Sequence, residues 1–225
     1  MTESNHDQGR ASTYVPALRF RWLTPAYDVV VSAGTRERAF KAELIRQATP
    51  AAGERVLDVA SGTGTLAIAI RQQCPAASVT GIDGDPGIIR IATRKAAAAG
   101  AAVGFDHGLS YALPYADATF DLVVSSLFLH HLSPADKLRT AREMLRVLKP
   151  GGRLQLADWG PATGPFTRAG FLLVQLLDGF TNTQDNIQGR IPSTLQEAGF
   201  QHVVETCVFP TFFGAVSLCQ ARKST

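Results

Sequence analysis

Cysteine is scarce in this sequence: three residues in 225, Cys74, Cys207 and Cys219. An odd number without Cys-x-x-Cys spacing builds neither a disulfide framework nor a thiolate zinc site. Reduced, buried thiols are expected, although Cys207 and Cys219 fall in neighbouring expected strands where contact is possible. Charge is thin as well. Asp, Glu, Lys and Arg make up 18% of the chain, against ~25% in ordinary soluble domains. The 22 bases and 19 acids leave a net +3, and no Lys/Arg block occurs. The richest stretch, Arg19-Phe20-Arg21 with Arg10 upstream, is too slight for a nucleic-acid footprint. No apolar run approaches ~18 residues, so no transmembrane helix is expected. Met1 to Arg10 is polar and lacks the charged-then-apolar layout of a secretion signal, so a cytoplasmic location is expected.

Apolar residues are plentiful at 45%, enough for a sizeable core at this length. Residues 1–13 read as disordered, being polar and almost free of apolar side chains. Residues 14–50 read as a helical cap, broken around Pro16, Pro25 and Gly34. Within it, Thr35 to Ala48 forms one helix, with Thr35 as cap and Phe40, Leu44 and Ile45 on one face.

A regular alternation then begins. Strands are expected at Arg55–Val59, Ser78–Asp83, Ala101–His107, Phe120–Ser125 and Arg153–Asp158. Helices are expected at Thr65–Gln73, Pro86–Ala99, Pro134–Leu148 and Pro192–Ala198. Pro86 suits a first helical turn, and Gly100 and Gly199 suit helix ends. Strands alternating with helices give a mostly parallel sheet covered on both faces. Two further strands, Val203–Phe209 and Phe212–Gln220, are separated only by Pro210-Thr211. That is too short for a parallel crossover, so an antiparallel hairpin must close one edge. Residues 160–191 interrupt the alternation. The helix-spaced apolar residues there, Phe166, Phe171 to Leu177 and Phe180, predict a lid inserted into a single domain spanning 14–225.

Asp58-Val-Ala-Ser-Gly62-Thr-Gly64-Thr joins the first strand to the first helix of the alternation. Glycine permits positive φ and close backbone approach to a ligand. Gly62-x-Gly64-x-x-Ala67 also fits the dinucleotide fingerprint, with Asp83 placed to grip ribose hydroxyls. Asp58 separates the nucleotide readings. A carboxylate there would repel a pyrophosphate but attract the ammonium or sulfonium of S-adenosylmethionine. The antiparallel terminal hairpin favours the same choice. An NAD(P)-dependent oxidoreductase is the alternative enzyme, and it lacks a Tyr-x-x-x-Lys pair here. A non-catalytic binding protein is the alternative of another class.

Val56-Leu-Asp-Val-Ala-Ser-Gly-Thr-Gly64 resembles the first motif of class I S-adenosylmethionine-dependent methyltransferases. Val79-Thr-Gly-Ile-Asp83-Gly-Asp-Pro is similar to their second-strand motif. Leu113-Pro114, Phe120 to Leu132 and Leu145 to Gly152 resemble the regions around strands four and five. Leu23-Thr-Pro-Ala-Tyr27-Asp28 with Ser32-x-Gly34 resembles, more loosely, the ubiquinone and menaquinone biosynthesis subfamily. The resemblance implies a Rossmann-like methyltransferase fold with a seven-stranded sheet. It implies S-adenosyl-L-methionine as cofactor and a small, apolar or aromatic methyl acceptor, with no nucleic acid partner and no integral membrane association. The cofactor contacts it implies are Tyr27, Asp58, Ala60, Gly62, Gly64, Asp83, Gly84, Leu109, Ser110 and Ser125.

Two departures accompany the resemblance. Ala60 replaces a glycine, which is tolerable where φ is negative. Gly108-Leu109-Ser110 stands where the family has Gly-Asp-Ala, so Leu109 cannot accept from the adenine amino group; the Ser110 backbone can still contact the adenine edge, and Leu109 can pack on the ring. Methyl transfer needs positioning and desolvation, and a base only where the acceptor must lose a proton. His130 and His131 follow strand four at the carboxyl edge and are the candidate bases. Trp159 and Phe171 are the candidate acceptor contacts. No metal-ligand set is present.

Overall fold

The chain alternates short branched strands with amphipathic helices, and the computed structural model assembles these into one seven-stranded sheet. It describes residues 36–161, Gly164, Arg168, Phe171, Leu172, Gln175 and 179–225. Residues 1–35, including Tyr27, and much of the expected 160–191 lid lie outside the described residues. β1 (Arg55–Val59) is buried at four of five positions, as a central parallel strand covered on both faces must be. β2 (Ser78–Asp83), β3 (Val103–His107) and β4 (Phe120–Ser126) run parallel with it. β5 (Leu148–Gly160) continues the parallel set on β4. β6 (Gln201–Thr211) and β7 (Gly214–Arg222) form the antiparallel edge hairpin, with β7 against β5. The order is β3-β2-β1-β4-β5-β7-β6.

The helices follow from capping and periodicity. α1 (Glu37–Ala48) buries Phe40, Leu44, Ile45 and Ala48, the stripe the spacing predicts. α2 (Thr65–Gln73) starts directly from Gly64. α3 (Pro86–Ala98) has Asp85 as cap, its Oδ1 accepting from the Gly87 amide at 2.6 Å. α4 (Pro134–Val147) is capped by Ser133, whose hydroxyl accepts from the Asp136 amide at 3.2 Å. α5 (Phe180–Ile187) and α6 (Ile191–Ala198) follow β5. Strand periodicity divides the core. Leu57, Val59, Leu154 and Leu156 face one apolar layer with Met144 of α4 and Leu195 of α6. Val56, Ala157 and Trp159 face the other, with Phe40 of α1 and Leu66 of α2.

Three expectations need correcting. The hairpin turn is Phe212-Phe213, not Pro210-Thr211, because Thr211 pairs with Gly214. Pro210 is accommodated because β6 is an edge strand, where a missing amide breaks no ladder. β5 begins at Leu148, not Arg153, with a register shift between Phe120 and Leu122 of β4 and Gly151 at φ 72°. Ala60 does not have negative φ; it sits at 56°. The chain has to turn sharply off β1 for the Ser61 amide to donate to Ile82 O at 2.9 Å, and the methyl is carried at a cost of about 1–2 kcal/mol. All three cysteines are free. Cys219 is buried, and burial pushes its thiol up to about 12. No helix of the described residues is long and apolar enough to cross a membrane.

Candidate active site

The site lies along the carboxyl edge of the parallel strands, where the order reverses between β1 and β4. Its first half is built from backbone. The loop after β1 folds on itself, the Gly64 amide donating to Ser61 O at 2.9 Å. Gly62 and Gly64 both take positive φ, 54° and 77°. They do different work. A Cβ on Gly64 would lie 2.6 Å from the Phe105 ring of β3, so this glycine permits close packing. A Cβ on Gly62 would meet nothing within 4 Å. Its exposed backbone is open for a ligand to approach.

Asp83 holds this loop. One carboxylate oxygen accepts from the Gly62 amide at 2.9 Å and the other from the Asp85 amide at 3.0 Å. Burial raises its pKa, and those two amides partly offset the rise. Gly84 follows, its carbonyl 3.2 Å from His107 Nε2.

Asp58 is the sharper anomaly. It is 1% exposed, and among the described residues no side chain bonds either carboxylate oxygen. Burial pushes its pKa up to about 7, opposed by Lys41 of α1 and by the Ala67 backbone amide and reinforced by the negative charge of Asp83. A buried carboxylate with no side-chain partner costs free energy that a cationic ligand group would recover. Such a carboxylate beside an open glycine backbone and a loop-fixing second acid fits the amino acid and ribose ends of S-adenosylmethionine.

The second half is built from side chains. The turn Leu129–His131 after β4 carries both histidines. His130 is 3% exposed, and its Nδ1 lies 2.6 Å from Asp158 Oδ1 at the end of β5. Asp158 also accepts from the His130 amide at 3.2 Å and the Trp159 amide at 2.7 Å. The His131 ring lies against His130 tilted by 42°, with ring centroids 4.0 Å apart. Burial and the neighbouring His130 hold it well below the ordinary imidazole value, so it stays neutral at pH 7. Trp159 is 4% exposed and meets Phe171 edge-on at 5.5 Å.

Other sequence-derived candidates are committed to structural bonds. The Ser125 hydroxyl donates to Val59 O at 2.8 Å, closing β4 onto β1. The Ser110 hydroxyl pairs with Thr140 of α4 at 2.9 Å. Leu109 bridges to Ala112 in the turn after β3. Among the described residues no group of three His, Cys, Asp or Glu could hold a metal. Sequence reasoning missed the His130–Asp158 pair and the fully buried Lys137. Lys137 could have been found, since it falls on the apolar stripe of α4 with Thr140, Ala141, Met144 and Val147.

Comparison with known proteins agrees with this geometry. Residues 56–152 match a family model described as a methyltransferase domain. The demethylmenaquinone methyltransferase of Deinococcus radiodurans is 36% identical over 151 residues, 65% of this chain and 61% of that protein. That of Thermus thermophilus is 36% identical over 147 residues, 63% and 64% respectively. The ubiquinone/menaquinone biosynthesis C-methyltransferase of Geotalea daltonii is 31% identical over 146 residues, 62% and 61%. The chain thus spans a little under two thirds of the length of these relatives. Among solved structures, a SAM-dependent methyltransferase from Methanosarcina mazei superposes with a TM-score of 0.61 at 22% identity, covering 76% of this chain and 92% of that one. The [4+2]-cyclase SpnF superposes with a TM-score of 0.66 at 20% identity, covering 83% and 81%. Those two likenesses are of fold alone. Glycine loop, acid-tipped strands, sheet order and sequence relatives converge: residues 56–152 match a methyltransferase domain, and the chain is similar to the demethylmenaquinone and ubiquinone/menaquinone C-methyltransferases over a little under two thirds of their length.

Proposed function

We propose that this protein transfers a methyl group from S-adenosylmethionine to a small aromatic acceptor in the cytoplasm. The observation that carries the reading is Asp58, a buried carboxylate with no side-chain partner at the end of β1, beside the open backbone of Gly62. When bound, S-adenosylmethionine supplies a methyl group activated by positive sulfur. Asp58 neutralises the cationic amino acid end, Gly62 and Gly64 let backbone approach it, and Asp83 holds the ribose hydroxyls. Gly84, the Leu109-Ser110 turn and Tyr27 complete the cofactor side.

Trp159 and Phe171, buried and packed edge-on in the core, are the aromatic pair assigned to the acceptor side. His130 and His131 are the candidate bases for the acceptor proton, and Asp158, bonded to His130 Nδ1, orients that ring. His131, neutral and tilted against His130, packs on that ring. The relatives named as demethylmenaquinone methyltransferases support a reduced quinone ring as acceptor. Calorimetry with S-adenosylmethionine and S-adenosylhomocysteine tests the reading, with binding of both expected. Failure of the chain to bind either would overturn it. Turnover is assayed by mass spectrometry on chemically reduced demethylmenaquinone.

A further inference from the structure

Lys137 is fully buried in the second turn of α4, at 0% exposure. Its Nζ donates to the carbonyl of Asn182 in α5 at 2.5 Å and lies 3.6 Å from Asp185 Oδ2. Burial pulls this lysine below its ordinary range, and the charges of Asp185 and Asp158 pull it back. An ammonium on the apolar stripe of a helix is costly, and a methionine there would fill the volume without the charge. Its position says what it does instead.

The helix it grips is a connector. Asn182 Nδ2 donates to His131 O at 3.1 Å, and Asn186 Nδ2 donates to Trp159 O at 2.9 Å. α5 therefore holds both the turn after β4 and the end of β5. One helical turn beyond Lys137, the buried Thr140 pairs with Ser110 in the turn after β3. Residues three apart share a helix face. One face of α4 thus reaches the cofactor side at Ser110 and the acceptor side at α5.

We propose that Lys137 is a positioning residue: its ammonium latches α5, which holds the segments carrying His131 and Trp159, onto α4, and α4 links this latch to the cofactor turn at Ser110. The acceptor side and the cofactor loop then move as one unit. The assignment of the two sides rests on the methyl-transfer reading; the latch itself does not.

Amide hydrogen exchange on the full chain tests it, comparing wild type with Lys137→Met, each with and without S-adenosylmethionine. Lys137→Met leaves Asp185 near Arg190 and Asp158 bonded to His130, so folding should survive. Peptides covering 180–187 and 129–132 should exchange ~10-fold faster in the variant, while those of α2 and β1 are unchanged. Cofactor should slow exchange of 180–187 in wild type and not in the variant. Cofactor affinity should stay within ~3-fold, and with reduced demethylmenaquinone the acceptor KM should rise more than kcat falls. Lys137→Arg should restore protection in part. Equal exchange of 180–187 in wild type and Lys137→Met overturns the latch, and equal slowing by cofactor in both overturns the link. Should wild type bind no cofactor, the methyl-transfer reading and the link fall, yet exchange of the cofactor-free proteins still decides the latch. Should Lys137→Met not fold, Lys137→Gln, which keeps a side-chain donor and loses the charge, is read by the same peptides with the same deciding outcomes.

Discussion

The two halves of the carboxyl edge are built on different principles. The cofactor half comes from residues 58–64 and 83–85, close in sequence, and its contacts are mostly backbone amides and glycines. The acceptor half comes from side chains far apart in the chain. His130 meets Asp158 across 28 residues, and Lys137 meets Asn182 across 45. Backbone sites tolerate changes of side chain that leave the loop conformation intact. Side-chain sites fail one residue at a time.

The largest expected effect tests that difference. His130→Gln should lower kcat ~10²–10⁴-fold on reduced demethylmenaquinone, the usual range for losing a general base. Its calorimetric affinity for S-adenosylmethionine should not change. A parallel loss of cofactor binding would break the separation between the halves.

Asp58 offers the next effect, read in stability. Its folded pKa of about 7 lies above its ordinary 3.8, so the native state holds this proton more tightly than the unfolded chain. Its contribution to stability is complete below the unfolded value and is lost as pH rises through about 7, a loss on the order of 1–4 kcal/mol. In urea melts without cofactor, Asp58→Asn should therefore gain on wild type between pH 4 and 8. It should also bind S-adenosylmethionine more weakly.

Asp83→Ala removes the acceptor for the Gly62 and Asp85 amides as well as the ribose clamp. Cofactor affinity should fall ~10–100-fold, each hydrogen bond to a charged group being worth ~1.5–3 kcal/mol. Unchanged affinity would refute the clamp.

The smallest effect separates the two glycines. Gly64→Ala should destabilise the fold by about 1–3 kcal/mol in urea, since the added methyl meets Phe105 at 2.6 Å at a positive φ. Gly62→Ala adds its methyl to open space and should cost less stability than Gly64→Ala while weakening cofactor binding.

The same contrast explains what could be read in advance. The parallel sheet, its antiparallel edge and the glycine loop were legible because local signals specify them: Gly62, Gly64 and Asp83 belong to one strand–loop–helix pattern. Ala60 was misjudged because its φ is imposed by the bond from Ser61 to Ile82, a contact between strands. The hairpin turn was misplaced because Pro210 signals a turn locally and only its edge position permits pairing. His130 was marked by its place after β4, but its partner Asp158 and the burial of Lys137 belong to tertiary packing. Tyr27 lies outside the described residues.

The reversal of strand order between β1 and β4 carries a consequence for inheritance. Strands β1 to β3 occupy residues 55–107, and strands β4 to β7 occupy 120–222. Each half of the edge is therefore one unbroken stretch of chain, and the turn at 108–119 is the seam between them. A single crossover at that seam would bring in a new acceptor half while leaving Asp58, Gly62, Gly64 and Asp83 in place. Lineages built this way can change what they methylate by recombination as well as by point substitution.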